Sequence, residues 1–288
     1  QRFGPHQNPQ PSGAQQRGHG HVAVRSRRPV LPGNQQLPSS PPTAAEILHA
    51  LSRHADPAQA RILSRFFKTG PGEYGAGDTF WGIRVPQVRA VMTRYPHLPL
   101  SVAAELLASP IHEVRLAALV ALARDYERGS PAERTAIFDF YLAHTGRINN
   151  WDLVDLSAPN IVGSHLPPGK GRRVLGRLAR SANLWERRIA MVATLAYIRQ
   201  GNWANTLWLA ETFLRDSEDL MHKASGWMLR EVGKRDAAAL REFLAAHAVQ
   251  MPRTMLRYAI ERFPPAERRH WLSHKGGRPE KAHRPRKT

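Results

Sequence analysis

Apolar residues recur along this chain at intervals of three and four, the period of an amphipathic helix. In 111-IHEVRLAALVALARDYE-127 the recurring positions are Ile111, Val114, Ala118 and Leu122. In 184-LWERRIAMVATLAYIRQG-201 they are Ile189, Val192, Ala193 and Ala196, and Gly201 is expected to close the helix. Met221, Ala224, Met228 and Val232 form a further stripe. Pro86, Pro110, Pro131, Pro252 and Pro265 read as first-turn residues, where a missing N–H costs nothing. No run alternates with period two over the length of a strand, so the expected class is all-α. Helices of roughly 10–17 residues joined by short turns, at about 35–40 residues per pair, predict an α-solenoid of antiparallel helix pairs with a concave groove.

Composition sets the limits of that picture. Residues 1–42 are rich in Pro, Gln, Gly and Ser without apolar periodicity and read as a disordered basic tail, and 274–288 reads the same way. The helical domain is then 43–273. Lys and Arg number 42 against 23 Asp and Glu, a net +19; each tail carries +5, which leaves +9 on residues 43–273. The folded part is basic in its own right, and the expected partner is a polyanion, nucleic acid above all. The absence of cysteine excludes disulfides and thiolate metal sites. No H-E-x-x-H spacing occurs among the 14 histidines, so neither metal nor other cofactor is expected. The longest apolar runs fall short of the ~20 residues that a membrane span needs. A cytoplasmic monomer, associated with the nucleoid through DNA, is the expectation.

Three groups of residues carry candidate chemistry. In 147-RINNWDLVDLSAPNIVG-163, Trp151 and Asp155 are four residues apart and share one helical face. Asn149 or Asn150 can cap that helix, which puts Asp152 in its first turn, where the helix dipole favours an acid. In 185-WERR-188, Arg187 and Arg188 point about 100° apart, so that one faces a groove and the other solvent. In 222-HKASGWMLREVGK-234, Lys223, Trp227, Arg230 and Lys234 share a face opposite the apolar stripe. A basic face with a central indole suits a phosphate backbone with an aromatic ring pressed on sugar or base, although a solvated face with a half-buried tryptophan has the same pattern.

These segments, together with 65-RFFKTGPGEYGAGDTFWGIRVPQVR-89, resemble the AlkD-like family of DNA alkylation repair glycosylases, which has a HEAT-like repeat fold. The stretch 80-FWGIRVPQVR-89 is similar to the family element F-L-G-I-x-T-P-x-R-R. The resemblance runs on through 151-WDLVD-155, 185-WERR-188 and 226-GWMLRE-231, in the family's order. It implies that Trp151 and Asp155 are the catalytic pair, that Trp227 is the second cleft tryptophan, and that Arg188 contacts the DNA backbone near the lesion. Arg187, Lys223, Arg230, Lys234 and Arg84 are expected to add backbone contacts. Phe66 stands where some members have tyrosine, and Arg84 replaces a polar neutral residue.

The implied reaction is hydrolysis of the N-glycosidic bond of a cationic alkylpurine in double-stranded DNA. Such a base leaves readily, and the sugar becomes oxocarbenium-like. A carboxylate stabilises that cation and orients water, and an indole face adds electron density. The resemblance also implies that the lesion can stay stacked. Lys223, the nearest amine by sequence, reads as a backbone contact, which makes the enzyme monofunctional. The competing expectation is a non-catalytic helical module that binds DNA or protein. Asp155 separates the two, since a pure binder of a polyanion has no reason to place a carboxylate in a basic groove.

Overall fold

The structure is a computed structural model that describes residues 41–168 and 170–273. Residues 1–40 and 274–288, where the disordered tails were expected, lie outside the described residues. The protein is all-helical, with one isolated β-bridge, between Thr79 and Ile111, among the described residues. The α-helices are α1 (Ala44–Ser52), α2 (Pro57–Phe66), α3 (Val85–Met92), α4 (Leu100–Leu107), α5 (His112–Arg128), α6 (Pro131–Ala143), α7 (Trp151–Ser157) and α8 (Arg172–Ala179). They continue as α9 (Leu184–Ala193), α10 (Leu195–Arg199), α11 (Ala204–Thr212), α12 (Asp219–Gly233), α13 (Ala237–His247), α14 (Arg253–Ala259) and α15 (Pro265–Ser273).

Local chemistry sets the helix starts. Thr43 and Ser130 form capping boxes with Glu46 and Glu133, and Asp56, Asn183 and Asp236 accept from first-turn amides. Pro86, Pro131 and Pro265 occupy first-turn positions as expected. Pro252 is instead the N-cap of α14, and Pro110 precedes Ile111, the N-cap of α5. The long helix expected up to Gly201 is broken at Thr194, which ends α9 and starts α10. The Thr194 hydroxyl donates back to the carbonyl of Met191 at 2.7 Å, a local bond that competes with the helical ladder.

One row of helices runs through the core: α1 packs on α3, α3 on α5, α5 on α7, α7 on α9, α9 on α12, and α12 on α14. Further helices flank it, α4 and α6 against α5, α8 against α9, and α11 and α13 against α12. Met221, Ala224, Met228 and Val232, the stripe expected on α12, are fully buried. Burial of each large side chain there contributes on the order of 1.5–3 kcal/mol. The α12–α14 contact is close because of Gly226, where an added Cβ would lie 2.5 Å from both the Met255 carbonyl oxygen and Tyr258 Cβ. This row places α7, α9 and α12, which carry the candidate residues, side by side.

Candidate active site

Helix α7 begins at Asn150, whose side-chain oxygen accepts from the Trp151 amide at 2.8 Å, settling the choice between Asn149 and Asn150. The segment before it is tied down by Arg147, whose guanidinium donates to the carbonyls of Leu107, Ala108 and Ser109 at the end of α4. A cation there also meets the negative end of the helix dipole. Helix α7 is short because Pro159 has no N–H to return to the Asp155 carbonyl. The chain passes into a π-helical turn, Pro159–Gly163, in which the Gly163 amide bonds the Ala158 carbonyl at 2.9 Å. Trp151 and Asp155 thus sit on one rigid turn fixed at both ends.

Trp151 is half-buried, stacked on Phe67 at 5.2 Å and 21° and edge-on to Phe66 at 5.9 Å. Phe66, at the position where tyrosine was noted in the resembling family, is 61% exposed. The loop 70–78 that precedes 80-FWGIR-84 is stitched to its surroundings rather than loose. Tyr74 donates to the Phe66 carbonyl at 3.4 Å and lies edge-on to the buried Trp185. Glu113, buried on α5, accepts the amides of Trp81, Gly82 and Ile83 at 3.1, 2.8 and 3.1 Å. Gly82 has φ +84°, and a Cβ there would collide with the Asp56 carbonyl, so both the turn and the close approach require glycine.

The Asp155 side chain is 19% exposed and Arg188 is buried. Arg188 reaches from α9 and grips Asp155 bidentately, Nε to Oδ1 at 3.0 Å and Nη2 to Oδ2 at 2.8 Å. Its Nη1 donates to the Leu220 carbonyl on α12 at 2.7 Å. Three of the five N–H groups of a guanidinium are thereby engaged. Burial pushes the Asp155 carboxyl up, Arg188 pulls it down by charge and hydrogen bonding, and Asp152 adds a further upward push; the net lies above the ordinary carboxylate value. The arrangement is a carboxylate held in position at low dielectric by one cation, with a small part of its side chain exposed.

The two arginines of 185-WERR-188 separate as their spacing predicts, though neither simply faces solvent. Arg187 pairs with Asp216 at 2.8 Å and donates to the Ser181 and Ala182 carbonyls at 3.0 Å. On α12, the expected row of cations is matched by acids on and near the same helix. Lys223 pairs with Asp219 at 2.9 Å, Lys234 with Glu231 at 2.7 Å, and Arg230 with Glu261. Trp227 is half-buried and donates its indole N–H to Glu231 at 3.2 Å. Arg84 is exposed at the N-cap of α3. The structure thus joins Asp155 to Arg188 directly, sets Trp151 one turn before Asp155, and gives Trp227 its polar contact on α12.

A second polar cluster behind α7 escaped the sequence reading. His112 Nδ1 lies 3.1 Å from Asp78 Oδ2, and its Nε2 lies 2.8 Å from Asp152 Oδ2. Arg115 pairs with the other Asp78 oxygen at 2.6 Å, and Asn149 and Asn150 donate to Asp78 at 3.3 and 3.2 Å. The available signal was His112, Glu113 and Arg115 interrupting an apolar helix. Their side-chain and loop partners, Asp78, Asp152 and residues 81–83, thirty or more positions away, were not readable. Among the described residues no group of three or more His, Cys, Asp or Glu could hold a metal ion, and no helix is long and apolar enough to cross a membrane.

A family model for "DNA alkylation repair enzyme" matches residues 47–263, and the chain belongs to that family. A solved structure described as a predicted DNA alkylation repair enzyme from Enterococcus faecalis has a similar fold, with TM-score 0.58 and 18% identity. The match covers 74% of this chain and 98% of that one. No curated protein matches this chain.

Proposed function

We propose that the protein is a monofunctional DNA glycosylase that hydrolyses the N-glycosidic bond of cationic alkylpurines, of the N3-methyladenine and N7-methylguanine type, in duplex DNA. The observation that carries the reading is Asp155, a mostly buried carboxylate one turn from the Trp151 indole and oriented by Arg188. As the base departs with the bonding electron pair, positive charge grows on the deoxyribose. A carboxylate already fixed at low dielectric stabilises that charge without reorganising, and it orients the water that attacks the sugar carbon. The Trp151 face packs on the sugar, and Trp227 is assigned to the far side of the cleft.

The base needs little acid catalysis because it already carries positive charge. No amine nucleophile is required either. The hydrogen bond from Lys223 to Asp219, the largest influence on this amine, raises its pKa, which keeps it a cation suited to a backbone phosphate rather than a Schiff base. Arg84, Arg187, Arg230 and Lys234 are assigned to the DNA backbone, while Arg188, buried and bound to Asp155 and the Leu220 carbonyl, is assigned to holding the carboxylate and not to the backbone contact that the resemblance implied. The lesion stays stacked in this reading. A cavity of about 590 Å³ between α3, α5 and α7 is lined by Arg89, Arg124, Tyr126 and Leu156 among others, and neither Trp151 nor Asp155 borders it. The test is to incubate the protein with duplex DNA treated with a methylating agent and to identify released bases by chromatography. Release of methylated purines above a heat-inactivated control supports the reading, and no release refutes it.

A further inference from the structure

The cluster behind α7 connects three parts of the chain that the site depends on: the loop before 80-FWGIR-84, helix α5, and the first turn of α7. Both ring nitrogens of His112 face carboxylate oxygens, Asp78 on one side and Asp152 on the other, at 3.1 and 2.8 Å. An ionised carboxylate only accepts, so each ring nitrogen must carry a proton to make its bond. A neutral imidazole would set a lone pair against one of the two acids. The ring also packs in an aromatic cluster, 4.7 Å from Phe80 and 4.9 Å from Phe67, which are themselves 5.2 Å apart, and Phe67 in turn stacks on Trp151. A cation there is favoured by the ring faces as well as by the acids.

We infer that His112 is a positioning residue for the reaction: as an imidazolium bridging Asp78 and Asp152, it fixes the first turn of α7 and the Trp151 ring, and it neutralises Asp152 so that this acid does not compete with Asp155 for Arg188. The inference rests on the glycosylase reading for its effect on rate, though not for the bridge itself. Burial opposes the charge on the buried ring, and the hydrogen bonds and charges of Asp152 and Asp78 overcome it, raising His112 to about 9. The other charged groups around the bridge are Arg115, paired with Asp78; Arg147, spent on the α4 carbonyls; Glu113, turned to the amides of 81–83; and Asp155 with Arg188. Asp152 adds an upward push to Asp155, so loss of the His112 charge would leave two acids on one short helix, with Arg188 bound to Asp155 and only Arg115, itself paired with Asp78, to offset Asp152.

Nitrogen-15 NMR of the histidine rings, with His112→Gln used for assignment, reads the bridge in the intact protein. Expected is a doubly protonated ring at neutral pH, a midpoint near 9, a lower midpoint in Asp152→Asn, and a Trp151 indole signal that shifts with the same midpoint. A neutral ring at pH 7, or a Trp151 signal indifferent to the His112 titration, overturns the inference even if no excision can be measured. In single-turnover excision, His112→Asn should cut the rate roughly 10- to 100-fold, as expected when a reacting group is slightly misplaced, with DNA affinity nearly unchanged. It should also lose the alkaline fall near pH 9 expected of wild type, and His112→Asn with Asp152→Asn should recover part of the rate. A wild-type rate and pH profile in His112→Asn overturns the positioning role. A wild type that releases no base refutes the glycosylase reading and leaves the bridge to be decided by the NMR result.

Discussion

Replacing Arg188 with methionine, which keeps most of the side-chain volume, removes the one cation that is bound to Asp155 by hydrogen bonds among the described residues. It also takes away the donor to the Leu220 carbonyl that joins α9 to α12. Breaking a buried ion pair from one side costs about 3–5 kcal/mol when both groups are fully enclosed. The Asp155 side chain keeps 19% of its exposure, so about 3 kcal/mol is expected at neutral pH. That loss should depend on pH. Burial already raises the Asp155 value, and without Arg188 the rise is larger. A raised carboxyl value means that the folded state favours the proton. Its stabilising contribution is present below the unfolded value and is lost as pH rises through the folded one. The deficit of Arg188→Met should therefore be largest near pH 8 and shrink by about 1 kcal/mol or more toward pH 5. Urea unfolding at both pH values, for wild type, Arg188→Met, Asp155→Asn and the double variant, completes a cycle in which the double variant should be less destabilised than the sum of the singles. A deficit that is equal at both pH values and additive with Asp155→Asn would refute the reasoning.

Glu113→Gln should cost about 2–3 kcal/mol, because one amide oxygen replaces two carboxylate oxygens that accept three loop amides; an unchanged urea midpoint would mean that the loop holds without the acid. With His112 raised from 6.5 to about 9, its stabilisation is fully present below pH 6.5 and lost as pH rises through 9, a fall of about 3 kcal/mol that His112→Gln should abolish. Thermal scans across that window check it, and an equal slope in the variant contradicts it. Cationic N3 or N7 adducts larger than methyl should still be excised, because a lesion left in the stack meets no fitted pocket, while uncharged uracil and hypoxanthine should not. Efficient uracil release with failure on a bulky cationic adduct would favour a pocket enzyme.

The helical class and the apolar stripes could be read in sequence because both depend on local periodicity. Met221, Ala224, Met228 and Val232 repeat at three and four residues, and all are buried. Trp151 with Asp155 was equally legible, being one turn of one helix. Pairings across the chain were not. Arg188 finds Asp155 thirty-three residues back, and His112 finds Asp78 thirty-four residues back and Asp152 forty ahead. The basic face read on α12 was counted without Asp219, Glu231 and Glu261, which meet its cations. Thr194 shows the same limit on a smaller scale: the apolar pattern continues through it, while its hydroxyl bonds backward and the helix stops.

The role of Asp155 is tested most directly by single-turnover release of N7-methylguanine from a defined duplex by Asp155→Asn, alongside duplex affinity measured by anisotropy. The substitution removes the charge that meets the developing sugar cation and leaves the shape of the side chain. Excision should fall roughly 10- to 1000-fold, about 1.4–4 kcal/mol, with affinity for DNA little altered. An Asp155→Asn protein that binds DNA normally and releases the base at the wild-type rate would contradict the account.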